Sequence, residues 1–417
     1  MSRVPVALLL VAFAFVESPT RADDWPLFRG PDRTGVSKDK GLLKEWPGDG
    51  PPLAWKTEGI GIGFSSVSVS GDRVFTMGDG KDSSFLFGID RKTGKKVWER
   101  KVGKTGGNYQ GPRCTPATDG TLVFALGQFG DLVCAGAKDG KEVWRKNLPK
   151  DFGGQAGGWN FTESPLLDGN SLIVTPGGAK AAMVALDKKT GKPLWTGAVE
   201  GGDAAGYSSV VIGTFGGVKQ YIQLMANGLV SFDAKTGKLL WRYGTASSRF
   251  GGNTANIPTP IVTSEYVFAS AGYGRGAALL KVSGTGGKFA VEEVYWANQL
   301  TNKHGGVILV GDKLFGDRDD SGTPFCADLK TGKVLWTRKG GEGRGSASLT
   351  YADGKLYIRY SDGWVVLADA TADKYTEISA FKVPNGKNDT WAHPVVVDGK
   401  FYVRERDVLW CYDVAAK

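Results

Sequence analysis

Residues 90–98 read DRKTGKKVW, and nearly the same nonapeptide returns as DKKTGKPLW at 187–195, DAKTGKLLW at 233–241 and DLKTGKVLW at 328–336, with a weaker copy, GAKDGKEVW, at 136–144. Such repetition within one chain means that one structural unit is being reused. The segment reads as a strand ending at the Asp, a tight Thr-Gly-Lys turn, and a second strand running to the Trp. Gly takes the positive φ that other residues resist, and the Asp carboxylate accepts hydrogen bonds from turn N–H groups. The unit is a β-hairpin with an aromatic ring on its far strand.

The tryptophans set the period. Trp98, Trp144, Trp195, Trp241, Trp296 and Trp336 recur every 40–55 residues, with Trp55 before them and Phe381 after. That is the size of one four-stranded propeller blade. A second hairpin turning at Asp-Gly or Gly-Asp often precedes the first, as in VSVSGDRVFTMG (67–78) and VVVDGKFYVRE (395–405). The pattern predicts an all-β, eight-bladed propeller. Seven units end at Trp98, Trp144, Trp195, Trp241, Trp296, Trp336 and Phe381. The eighth starts at His393, reaches LWCYD at 409–413 and lacks an outer strand, which the lone strand PPLAWK (51–56) would supply. Joining the two closes the ring and leaves no gap at the seam. A seven-bladed ring is the alternative, because units five (GTGGKFAVEEVYW, 284–296) and seven (DATADKYTEI, 369–378) are degenerate.

The position two before each repeat Asp is small: Gly88, Ala185, Ser231, Cys326 and Cys411, with Cys134 in the weak copy. Something bulky, a repeat Trp, is expected to pack over it. Cys134, Cys326 and Cys411 then read as small core residues, and no disulfide is expected.

The N-terminal MSRVPVALLLVAFAFVESPTRA has a positive start at Arg3, an apolar run from Val4 to Val16 and a small residue at Ala22. Residues 1–22 are therefore expected to be a signal peptide, with a retained anchor as the alternative. The apolar run is short for a membrane span. The first cysteine is Cys114, so no lipid anchor is expected at the cleavage point. The expected location is periplasmic or secreted. Residues 23–52 read as a lead-in strap anchored by Trp25 and Phe28, and 53–417 as a single propeller. The formal net charge is +9, and Lys95, Lys141, Lys192, Lys238 and Lys333 spread round the repeated turns as a fringe. That distribution favours solubility over nucleic-acid binding.

The pattern small-x-Asp-x-x-Thr-Gly-Lys-x-x-Trp resembles the tryptophan-docking motif of the quinoprotein-type, PQQ-like propellers. That superfamily includes the pyrroloquinoline quinone (PQQ) alcohol dehydrogenases and the outer-membrane assembly factor BamB. The resemblance covers about residues 53–413. It implies a fold rather than a chemistry, because the motif lies between blades and away from the axis. The family's enzymes carry two adjacent cysteines over the quinone, absent here, and hold Ca²⁺ with a Glu and an Asn from loops between blades. Glu163 with Asn253 or Asn256 would occupy those points, and Trp159 could stack on the quinone. One carboxylate and one amide are few for an ion that takes about six to eight oxygens.

The resemblance therefore implies an exported, monomeric, non-catalytic binding propeller, closer to BamB. Its partners would be envelope proteins or a small ligand at the axis, with no cofactor. The alternative is a PQQ- and calcium-dependent oxidoreductase acting on alcohols or sugars. In either case the site would lie where the loops linking successive blades meet at the axis. Those loops carry Tyr109, Arg113, Trp159, Asn160, Glu163, Tyr207, Arg249, Asn256, His304, Arg344, Trp391 and His393 as funnel candidates. Arg113, Glu163 and Arg344 could instead form ion pairs that plug the channel. The two histidines and Glu163 belong to blades six, eight and three, so no metal is expected.

Overall fold

In each full copy of the repeat, the Asp carboxylate ties its own turn. Asp90 accepts from Thr93 N at 2.8 Å and Thr93 Oγ1 at 2.7 Å, and Asp187, Asp233 and Asp328 accept likewise from Thr190, Thr236 and Thr331. The threonine hydroxyl and amide hold the Asp90 and Asp187 carboxyls below the usual range. The following Gly is required twice over. Gly94 has φ +71°, and a Cβ there would lie 2.5 Å from the Trp55 ring.

Repetition of this hairpin builds the protein, seen in a computed structural model that describes residues 24–252, 255–338, 340–384, 386 and 390–416. The expected signal segment 1–22 and Asn253 lie outside the described residues. Eight four-stranded antiparallel sheets form a ring. Seven are consecutive in sequence. The eighth takes Val395–Val397, Lys400–Glu405 and Val408–Asp413 from the C-terminal end and Leu53–Thr57 as its outer strand. Trp55 pairs with Cys411 across this seam. The protein is thus an eight-bladed propeller, with one five-residue helix, Leu148–Phe152, among the described residues.

The small positions are explained by register. Gly88, Cys134, Ala185, Ser231, Cys326 and Cys411 are the direct cross-strand partners of Trp98, Trp144, Trp195, Trp241, Trp336 and Trp55. The Trp98 ring folds back over Gly88, where a Cβ would lie 2.2 Å from it, and most of these rings also reach the next blade. The indoles of Trp55, Trp98, Trp144 and Trp195 lie on Gly94, Gly140, Gly191 and Gly237. Their Nε1 groups donate to the carbonyls of Arg91, Ala137, Lys188 and Ala234 at 2.9–3.2 Å. These four junctions are thereby latched by packing and one hydrogen bond each. All four cysteines are buried and unpaired.

Blade five corrects one assignment, that of Trp296 as its repeat aromatic. Its last two strands, Gly276–Thr285 and Lys288–Ala297, are ten residues each. A bulge after Leu279 pairs that residue with Tyr295. Tyr295 therefore takes the docking role: its ring lies on Gly332, and its hydroxyl donates to the Leu329 carbonyl at 2.8 Å. Trp296, one residue on, faces the other way and packs under Arg249 and Phe250. Blade five lacks the Thr-Gly-Lys turn that Trp241 would dock on, and Trp241 donates instead to Gln220 of its own blade at 2.8 Å.

Residues 24–46 cross the ring on the face of the Thr-Gly-Lys turns. Asp24 accepts from Gly71 N, Trp25 pairs with Val69, Val36 with Tyr351, and Leu42 with Ala415. Midway, Arg29 and Arg33 enter the axis, both 4% exposed. Arg33 donates to the carbonyls of Val210, Ser164 and Pro165, and Arg29 to those of Thr34 and Val307. The strap therefore plugs the channel with guanidinium groups bonded mainly to carbonyls just ahead of the innermost strands, and gives the opposite face a floor.

Candidate functional site: the axial cavity

Above that floor is a cavity of about 120 Å³. Loops between blades supply most of its wall: Phe64 and Ser66, Tyr109 and Arg113, Trp159 and Ser164, Tyr207 and Ser209, His304, Trp391 and His393. The strap adds Phe28 and Arg29, and a hairpin of blade five adds Tyr273. Among the described residues no Asp or Glu lines it.

The wall is built from two aromatic groups. On one side Trp391 is stacked between Phe64 (4.6 Å between centroids) and His304 (4.2 Å), with Tyr109 edge-on at 5.2 Å. On the other, Trp159 tilts against Tyr207 at 5.2 Å and Tyr273 at 6.2 Å. Tyr109 and Tyr273 are about half exposed and hold φ +54° and +56°. Left-handed backbone in a bulky residue costs about 1–3 kcal/mol, so surrounding bonds must hold it. Arg113 does so for Tyr109, donating to the Asn108 and Tyr109 carbonyls at 2.7 and 2.9 Å and to Gln128 Oε1 at 3.1 Å. Lys303 lies 4.6 Å over the Tyr273 ring and bonds Asp320 at 2.6 Å.

Both histidines are neutral at neutral pH. Burial, reinforced by Lys303 for His304 and by Arg29 for His393, pulls each down to about 3. The structure brings them together, His393 Nε2 donating to the His304 carbonyl at 3.0 Å. Glu163 is not with them, and no metal-holding group of His, Cys, Asp or Glu occurs among the described residues.

Seven of the twelve funnel candidates line the cavity: Tyr109, Arg113, Trp159, Tyr207, His304, Trp391 and His393. The other five lie elsewhere. Asn160 closes a tight turn with φ +62°. Asn256 is buried, and its Nδ2 donates to the carbonyls of Met225, Ala226 and Phe250 at 2.9–3.1 Å. Arg249 pairs with Glu293 at the outer edge. Arg344 donates to the carbonyls of Gly341 and Gly343 and pairs with no carboxylate among the described residues. Sequence reasoning missed Phe64, Tyr273, Lys303 and Arg29. Lys303 stands next to His304, and Arg29 next to Phe28, so both were within reach of a wider reading.

Glu163 sits behind the wall, accepting from Thr175 N at 2.5 Å and Gln223 Nε2 at 3.4 Å. Neither Glu163 nor Asn256 lines the cavity, so the pair does not fit a calcium ion held there. Burial lifts the Glu163 carboxyl from 4.5 to about 7, against the bonds from Thr175 and the charge of Arg33. The folded chain therefore keeps a proton that the unfolded chain releases between those values. Its contribution is most favourable below pH 4.5, and stability falls as pH rises to about 7. Glu163→Gln should remove this part of the decline. Melting temperatures taken across that window check it, and an unchanged slope would contradict the assignment.

Residues 82–338 match the family described as outer membrane protein assembly factor BamB. Among curated relatives, the protein of that name from Kangiella koreensis is 26% identical over 222 residues, 50% of this chain and 48% of its own length. The Shewanella oneidensis protein of the same name is 24% identical over 263 residues, 58% of this chain and 60% of its own. The chain thus spans about half the length of the curated relatives it matches. Among solved structures, BamB from Moraxella catarrhalis has a TM-score of 0.61 at 16% identity, covering 89% of this chain and 100% of that one. Quinohemoprotein alcohol dehydrogenase from Comamonas testosteroni has a TM-score of 0.67 at 14% identity, covering 95% and 81%. At such identities the two structures share the fold alone.

Proposed function

The chain belongs to the family described as outer membrane protein assembly factor BamB, and from that membership we propose that it acts as an exported, non-catalytic binding propeller of the cell envelope. It would work as a monomer, offering its loop face to proteins engaged in outer membrane protein assembly. The observation that carries this reading is the family match across residues 82–338, the greater part of the ring. Two features support it. The axis is plugged from the turn face by Arg29 and Arg33, leaving a blind cavity instead of a channel. The loop face presents half-exposed Tyr109 and Tyr273, and tyrosines are favoured at protein interfaces because they bury much area at little entropic cost.

The quinone- and calcium-dependent alternative has a likeness of fold behind it, but Glu163 and Asn256 do not converge on the cavity. No helix among the described residues is long and apolar enough to cross a membrane.

The test is a capture experiment joined to an assembly assay. The mature chain, with its start established by N-terminal sequencing, is immobilised and exposed to envelope extract from its source. The expected result is capture of outer membrane assembly components, with slower insertion of β-barrel proteins when the chain is depleted. Unchanged insertion on depletion, or dye reduction with PQQ, Ca²⁺ and an alcohol, would overturn the reading.

A further inference from the structure

Arg29 is a buried cation without a counter-charge. Its Nη2 donates to the carbonyls of Thr34 at 3.0 Å and Val307 at 2.6 Å, while its Nε has no acceptor. Among the described residues no carboxylate pairs with it. Arg33, four residues on, is as deeply buried but has Glu163 as a neighbouring charge. Arg29 has burial alone, which pulls its guanidinium down to about 10. A charge taken out of water with nothing opposite it is expensive, and this one borders the axial cavity. Gly306 gives it the room to do so, since a Cβ there would lie 1.9 Å from Arg29 Nη1.

Two hydroxyls line the same cavity and can donate into it. Ser164 Oγ accepts from Thr115 N at 2.9 Å, and Ser209 Oγ from Ser164 N at 3.0 Å. Each accepts from one backbone amide, and its proton has no acceptor among the described residues. The floor thus offers a guanidinium and two O–H donors, and the wall above offers two aromatic groups. The cavity, about 120 Å³, is well below the roughly 300 Å³ at which drug-sized pockets begin, so there is room for one ring and not for several fused ones.

We propose that the axial cavity is a binding site for a small single-ring aromatic carboxylate. Its carboxylate meets the Arg29 guanidinium and the Ser164 and Ser209 hydroxyls, and its ring lies between the Trp391 and Trp159 groups. Charge-assisted bonds from guanidinium to carboxylate are the strong kind, and they strengthen where water is excluded. This inference rests on the cavity alone, and the partner-capture experiment can fail without touching it.

The test is calorimetric titration of the mature protein with benzoate and phenylacetate, against benzyl alcohol as the uncharged counterpart, acetate as the ringless one, and PQQ with Ca²⁺. The expected result is that at least one aryl carboxylate binds about tenfold or more tightly than benzyl alcohol and acetate. Arg29→Gln should lower that affinity by about tenfold or more, while the unliganded protein melts at the same temperature or higher, because an uncompensated charge has been removed. Should that variant fail to fold, Tyr273→Ala at the exposed rim should weaken aryl carboxylates but leave acetate unchanged. Equal affinity for charged and neutral rings, no binding of either carboxylate at millimolar concentration, or full affinity in Arg29→Gln would each overturn the proposal. Calcium-dependent uptake of PQQ in preference to the single-ring acids would overturn the ligand class.

Discussion

Trp55→Ala should destabilise the protein by about 3–5 kcal/mol, the range for removing a large aromatic from a packed core. Trp55 is 9% exposed and sits in the strand that completes the eighth blade. Its ring covers Gly94 of blade one, packs edge-on against Tyr402 of blade eight at 5.8 Å, and donates to the Arg91 carbonyl at 3.0 Å. The side chain therefore joins the chain's N-terminal strand, its last blade and its first. The cluster it belongs to draws Val69, Phe87 and Ile89 from blade one and Val395, Leu409 and Cys411 from blade eight. The informative comparison is Trp98→Ala, which removes the same chemistry at an internal junction where the covalent chain continues. Denaturant unfolding should show the larger loss for Trp55. Limited proteolysis should release the segment ahead of residue 57 in that variant alone. If the two variants lose the same stability and resist protease equally, the seam is no more critical than any other blade junction.

Glu405→Ala should cost about as much, roughly 3–5 kcal/mol, for an electrostatic reason. Arg359 and Glu405 form an ion pair between blades seven and eight, with side chains 0% and 3% exposed. Burial already pulls the Arg359 guanidinium down, and the Glu405 charge opposes that pull. Removing the carboxylate leaves a stranded cation, which is more costly than losing the attraction itself. Glu405 also accepts from Thr390 Oγ1 at 2.8 Å, one residue before Trp391, so the same change should loosen the aromatic group of the axial cavity and blunt ligand binding. Replacing both partners together, as Arg359→Met with Glu405→Leu, should recover much of the stability because no charge is left unpaired. A double variant as unstable as Glu405→Ala would show that the loss comes from packing.

The hairpin repeat was readable because its chemistry is local. Asp90 and Thr93 meet within one turn, and Gly94 adopts its φ there whatever lies beyond. The small positions were readable for the same reason, since a strand's register with its own hairpin partner follows from the turn. Blade five shows the limit. The bulge after Leu279 sits where the other blades have theirs, directly after the partner of the docking aromatic. The residue there is Tyr295, however, and the tryptophan comes one position later. With a long hairpin in place of a tight turn, spacing alone does not reveal a one-residue slip. The axial cavity was half legible. Loops between blades must approach the axis, and several polar and aromatic side chains in them line it. Which ones turn inward depends on bonds to distant partners: Asn256 is drawn to carbonyls as far as 31 residues away, while Glu163 bonds Gln223, 60 residues on.

The amino-acid sequence on its own determined the blade, its repetition and its closure, because each rests on contacts within one hairpin or on a count of hairpins. Only the tertiary structure decided that a strap from the chain's beginning would drive Arg29 into the axis, leave it without a counter-charge and set aromatic walls above it. That outcome depends on residues 278 positions apart meeting at one point, and a ring brings them together only once all eight blades are in place.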